Sequence, residues 1–185
     1  DDVRAIGDVA KAHDLWILSD EVYESLIYEG SFASPFDEAN LADRTVVASS
    51  LSKSHAAPGF RAGWCAGSPA FINRLLPLAE TMLFGAQPFI ADMAAEALSR
   101  EFAITAQMRN SYAARARHVA ETLAGIPGLR VHPPQAGMFV MLSVQGLGLD
   151  GEAFADRLLD QAGVAVMPGI AFGAAAAGMV RLDRK

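Results

Sequence analysis

Two short apolar runs constrain the fold of this chain most. They are Leu15-Trp16-Ile17-Leu18 and Thr45-Val46-Val47-Ala48-Ser49, and each stops abruptly in a cluster of polar residues. Runs this short, set among helical patterns, read as buried strands of a parallel sheet. Val3, Ile6, Val9, Ala10 and His13 recur at helical spacing, which predicts an amphipathic helix over 2–13 ahead of the first run. Residues 23–43 mix Gly, Ser, Pro and acids and read as loop, and a third strand is expected over 61–66, after Pro58-Gly59. From Pro69 the pattern turns helical, with a long Ala-rich helix over 101–124 that stops at Gly125-Ile126-Pro127-Gly128. Short strands over 129–132, 137–144, 164–167 and 178–182 follow, with one helix over 152–162. The order is α/β and then a smaller α+β unit. The expected division is 1–110 and 111–185, joined by the long helix.

Composition narrows the function classes. The 185 residues are 52% hydrophobic, enough for a sizeable core, so disorder is excluded for the chain as a whole. A formal net charge of −6 leaves no basic surplus to meet phosphates, which argues against nucleic acid as a partner. One cysteine, Cys65, excludes a disulfide framework, and His13, His55, His118 and His132 lack metal-ligand spacing. No apolar run reaches membrane-spanning length and no export signal is visible, so a cytoplasmic protein with no membrane partner is expected. The chain opens Asp1-Asp2-Val3-Arg4 inside the first helical pattern, as a piece of a longer polypeptide would.

Ligands of open α/β sheets bind at the carboxyl ends of strands. One strand end here carries Ser19-Asp20-Glu21-Val22-Tyr23; the other carries Ser49-Ser50-Leu51-Ser52-Lys53-Ser54, with Gly59-Phe60-Arg61 close behind. A lysine and an arginine among small hydroxyl residues make an anion cradle. A lysine amine that gives up its proton there is a nucleophile able to form a Schiff base. Taken one at a time, these residues have plainer readings: a loop lysine is usually solvated, and an aspartate after a strand is often a helix cap.

Their joint pattern resembles the aspartate aminotransferase superfamily, the fold-type I pyridoxal-phosphate enzymes of aminotransferase class I/II. The resemblance is carried by Ser19-Asp20-Glu21-Val22-Tyr23-Glu24, by Ser50-Leu51-Ser52-Lys53 with Arg61 eight positions on, and by Pro134-Gln135-Ala136-Gly137-Met138-Phe139. Gly163-Val164-Ala165-Val166-Met167-Pro168-Gly169, Phe172-Gly173 and Gly178-Met179-Val180-Arg181-Leu182 complete it, in the family's order. Ser50 to Ala56 and Met82-Leu83-Phe84-Gly85 are most similar to its arginine–pyruvate transaminase branch.

This resemblance implies the C-terminal part of a mainly parallel three-layer α/β/α large domain plus a small α+β C-terminal domain. It implies pyridoxal 5'-phosphate as cofactor, an amino acid and a 2-oxo acid as substrates, and a homodimer for the full-length enzyme. Lys53 would bind the cofactor covalently and then move the substrate's α-proton. Asp20 would pair with the pyridine nitrogen and Tyr23 with the ring oxygen, on the expectation that helical spacing puts 20 and 23 on one face. Ser50, Ser52 and Arg61 would hold the phosphate, and Arg181 the substrate α-carboxylate. The family's subunit is much longer, so this chain would carry the covalent chemistry without the whole pocket. Carbon–sulfur lyases and acyl-transfer synthases share the constellation, and a fragment that keeps only the fold is a further alternative.

Other features read as structure. His55 has no role implied by the resemblance and is expected to serve local packing or a wall of the substrate site. Cys65 is expected to be a small buried hydrophobe. Met82, Phe84 and Phe89 are expected in the core, with a dimer interface as the alternative. Gly146-Leu147-Gly148-Leu149-Asp150-Gly151 matches a dinucleotide fingerprint literally, but no acid occurs over 164–173 where one is needed, so it reads as a connecting loop. Ser50-Leu51-Ser52-Lys53 also matches the S-x-x-K of serine acyl hydrolases, without that family's Lys-Thr-Gly partner.

Overall fold

The structure, a computed structural model, describes residues 2–100 and 102–183. The chain divides into two compact units, one made of 1–25 with 31–105 and the other of 26–30 with 106–185.

The first unit begins with helix α1 (Asp2–Ala12), whose Ala10 is buried, and strand β1 (Ile17–Asp20). Three single 3-10 turns, Glu24–Leu26, Pro35–Asp37 and Ala42–Arg44, shape the expected loop before strand β2 (Thr45–Ser50). Helix α2 (Leu51–Ser54), a 3-10 turn at Pro58–Phe60 and strand β3 (Gly63–Gly67) follow. The sheet order is β1-β2-β3, with β1 parallel and β3 antiparallel to β2. Only the central strand has both neighbours, and Val46 and Val47 are buried on it. Thr45 is fully buried as well, and its hydroxyl donates to the Leu41 carbonyl at 2.9 Å, which removes the cost of an unpaired polar group.

The first apolar run departs from its expected burial. β1 starts two residues late, and Leu15, Trp16 and Leu18 are exposed, Leu18 at 74%. β1 is an outer strand of a three-stranded sheet, so its side chains lack the double cover that a central parallel strand has. Trp16 instead packs on Phe71, with ring centroids 5.5 Å apart. Cys65 is likewise exposed, not buried, because it lies on the other outer strand. Helices α3 (Pro69–Leu83) and α4 (Pro88–Leu98) bury no residue fully. Met82, Phe84 and Phe89 therefore lie outside the core expected for them, with Phe84 93% exposed at the left-handed end of α3.

Helix α5 (Ala103–Leu123) starts in the first unit and continues into the second; position 101, where the helix was expected to begin, lies outside the described residues. The second unit is an antiparallel sheet of β4 (Arg130–His132), β5 (Phe139–Ser143), β6 (Met167–Pro168) and β7 (Met179–Asp183) in the order β4-β5-β7-β6. Helix α6 (Gly151–Ala162) precedes β6. Val140, Leu142, Val144, Ala155 and Val180 form its core, joined by Val119 and Leu123 of α5. The segment 26–30 belongs here through an isolated bridge from Ile27 to Ala136 and two hydrogen bonds to the Gln135 carbonyl.

The fingerprint-like glycines serve packing. A Cβ on Gly146 would come within 2.7 Å of the Gly128 Cα, and one on Gly151 would run into the Met179 carbonyl. Asp150 caps α6 by accepting from the Ala153 N–H at 2.8 Å. No helix among the described residues is long and apolar enough to cross a membrane.

Candidate active site

The sheet of the first unit gathers the reactive residues at one end. β1 and β2 are parallel, so Asp20, the last residue of β1, and Ser50, the last of β2, both lie at their carboxyl ends. Asp20 pairs in register with Ala48, two residues before Ser50. β3 runs the other way, so its start is at the same end: Ser50 is in register with Gly63, two residues after Arg61. The Leu51 N–H donates to the Ala62 carbonyl at 3.2 Å and fastens the lysine turn to this entry segment. Asp20, Ser50, Ser52, Lys53 and Arg61 are thereby brought to one end of one sheet.

Each residue has a local reason for its place. Ser50 is extended (φ −160°, ψ 163°) and its Oγ accepts from the Ser52 N–H at 3.3 Å, which starts α2 with Lys53 in its single turn. Lys53 is half-buried, and its ammonium has no hydrogen bond or ion pair with another described residue. Arg61 sits in the left-handed region at φ 54°, and its Nη1 donates to the Pro58 carbonyl at 3.0 Å. A non-glycine residue held there marks a turn fixed by its surroundings. Asp20 is exposed, and its Oδ1 accepts from the Val22 N–H at 3.3 Å.

That Asx turn corrects the expected relation between Asp20 and Tyr23. The stretch 20–23 is not helical: Asp20 ends a strand and Tyr23 lies in the turn after it, so the two share the loop at the strand's end, not a helix face. Arg181 is on β7 of the second unit, 21% exposed in its side chain. Its Nε donates to Asp183 Oδ1 at 3.0 Å, and its guanidinium carbon lies 4.1 Å from the Phe139 ring centre and 4.9 Å from that of Phe172. Two aromatic faces and a carboxylate hold one cation, which limits its rotamers.

Two features escape a reading of the sequence. The first is a hydrogen-bond chain behind the lysine in sequence: Ser54 Oγ lies 2.8 Å from His55 Nδ1, and His55 Nε2 lies 3.2 Å from the Ala97 carbonyl. Thr105 Oγ1 donates to the Ser54 carbonyl at 2.9 Å, from a residue 51 positions away. Ser54-His55 beside the lysine was visible in the sequence; its partners were not. The second is an acidic pair. Buried Glu21 accepts from the Ser34 hydroxyl at 2.6 Å. Burial, followed by the charge of Glu21, pushes the Glu24 carboxyl above its ordinary value of 4.5.

The sequence of the whole region can be set beside known proteins. The family model for aminotransferase class I and II matches residues 1–183. The chain belongs to that family. It is 47% identical over 179 residues to the arginine–pyruvate transaminase of Pseudomonas aeruginosa, covering 97% of this chain and 46% of the relative. It is 32% identical to an aspartate aminotransferase of Pyrococcus horikoshii, again with 97% of this chain and 46% of the relative covered. The crystal structure of an aromatic aminotransferase from Pyrococcus horikoshii superposes with a TM-score of 0.94 at 32% identity, over 98% of this chain and 49% of the other. An N-succinyldiaminopimelate aminotransferase from Mycobacterium tuberculosis gives 0.86 at 29% identity, over 98% and 48%. The chain thus spans about half the length of the curated relatives it matches. These neighbours bear out the expected α/β fold.

Proposed function

We propose that this chain supplies the covalent half of an aminotransferase site, which moves an amino group from an L-amino acid to a 2-oxo acid by ping-pong chemistry. The observation that carries the reading is the convergence of Asp20, Ser50, Ser52, Lys53 and Arg61 at one sheet end, in a chain that belongs to the aminotransferase family. This donor set fits pyridoxal 5'-phosphate: one amine, one carboxylate, one guanidinium and two hydroxyls match an aldehyde, a basic ring nitrogen and a dianionic phosphate. When bound, the cofactor supplies the aldehyde and a conjugated ring that takes up the electrons released at the substrate carbon.

The residues divide the remaining work. The Lys53 amine would hold the cofactor and, when free, would carry the substrate's α-proton as a general base. Asp20 would keep a proton on the ring nitrogen, and the Tyr23 hydroxyl would donate to the ring oxygen. Ser50, Ser52 and Arg61 bind the phosphate through charge-assisted hydrogen bonds. Arg181 grips the substrate α-carboxylate. Its Nε is engaged by Asp183, so the fork is formed by its two terminal nitrogens. Similarity to an arginine–pyruvate transaminase supports pyruvate as the amino acceptor. The full enzyme is proposed to be a cytoplasmic homodimer, and the apolar side chains exposed at the end of α3 support a partner surface there.

A chimera tests this reading. This chain replaces the matching segment of the arginine–pyruvate transaminase, and 15N transfer from an L-amino acid to pyruvate is followed by mass spectrometry. Labelled alanine should appear, and Lys53→Ala should reduce its rate by at least about a thousandfold. A Lys53→Ala chimera as active as its parent would contradict the assignment.

A further inference from the structure

Hydrogen-bond accounting around His55 determines which ring nitrogen carries the proton. The Ala97 carbonyl only accepts, so its 3.2 Å contact requires a hydrogen on Nε2. In the neutral ring Nδ1 is then an acceptor, and the Ser54 hydroxyl at 2.8 Å is its donor. That hydroxyl has one hydrogen, so the Ser50 carbonyl, at 3.3 Å, is the weaker competitor for it. Two further contacts secure the same spot. Thr105 Oγ1 donates to the Ser54 carbonyl, and the Phe102 ring meets His55 edge-on at 5.8 Å and 77°. Ser54 is 5% exposed, so its hydroxyl has little water to fall back on. Helix α2 is only four residues long, too short to hold its geometry through its own ladder. The contacts just past the lysine therefore secure the turn from its far side, as the Ser50 cap and the Leu51 N–H bond to Ala62 do from its near side.

We propose that Ser54, His55 and Thr105 form a clamp that positions Lys53 for imine formation, with His55 held in its Nε2–H tautomer. The proposal rests on the reading of Lys53 as the cofactor-binding lysine. None of the three acts on the cofactor; they are positioning residues that work through the turn.

Two measurements on this chain test it. In 15N-histidine-labelled protein, long-range NMR correlations should show His55 with a bare Nδ1 and a protonated Nε2. The opposite tautomer overturns the clamp. The second measurement times the trapping of added pyridoxal phosphate by borohydride. Lys53 is compared with exposed Lys11 by peptide mapping in the same sample. Thr105→Val and His55→Phe should each slow trapping at Lys53 roughly threefold to tenfold relative to Lys11, and Thr105→Ser should restore it. A Lys53-to-Lys11 ratio unchanged in either variant overturns the proposal. If Lys53 in the unaltered chain is not labelled at all, the cofactor reading fails, and the histidine tautomer still decides the clamp.

Discussion

Glu24 is the residue whose ionisation the fold disturbs most plainly. Burial and the neighbouring Glu21 raise its carboxyl above 4.5, so the folded chain binds its proton more tightly than the unfolded chain does. Well below pH 4.5 both states hold the proton and there is no penalty; the penalty grows as pH rises from there through the raised value and is full above it. Glu24 is exposed at the surface, so Glu24→Gln should raise the melting temperature only slightly at neutral pH, and the gain should vanish well below pH 4.5. Calorimetry of the two proteins across pH checks this. At this scale the place of the candidate site at the strand ends is legible in the sequence. Lys53, Asp20, Ser50, Ser52 and Arg61 stand at strand ends that hydrophobic patterning alone locates. The Asx turn at Asp20 was not legible, because a hydrogen bond between a side chain and the backbone two residues on competes with the helix that i, i+3 spacing suggests. Thr105 was invisible for a simpler reason: it meets Ser54 across 51 residues of sequence.

Elements are legible in the sequence where periodicity is long and not where burial depends on neighbours. Helix α1 and the strands of the second unit fall within two or three residues of their expected bounds. β1 did not take the burial its apolar run suggested, because an outer strand of a three-stranded sheet has no cover to offer Leu18. The start of α6 carries a sharper expectation. Alanine at position 151 would favour the helix by about 1 kcal/mol. Its Cβ would, however, run into the Met179 carbonyl of β7, and backbone cannot yield as a flexible side chain can. Gly151→Ala should cost about 1–3 kcal/mol by denaturant titration. The β2 end offers a second measurement: Thr45→Val keeps the shape but leaves the Leu41 carbonyl without its 2.9 Å donor, and should cost about 1 kcal/mol.

The whole molecule is two units with separate interiors, and α5 runs through both. The second unit's core is apolar, centred on Val140, Val144 and Val180, which are fully buried. Val140→Ala should cost about 2 kcal/mol through lost burial and the cavity left behind, read as a shift in the unfolding of that unit. The first unit is different in kind: its strand ends carry the proposed chemistry and its helices α3 and α4 leave large apolar side chains in water. Such exposure is the signature of surfaces meant to be covered. The role of Lys53 is measured most directly on the unaltered chain. Pyridoxal phosphate is added, the imine is reduced with borohydride, and the three lysines (Lys11, Lys53 and Lys185) are mapped by peptide mass spectrometry. The reduced pyridoxyl group should reside chiefly on Lys53; labelling confined to Lys11 or Lys185 would contradict the role of Lys53.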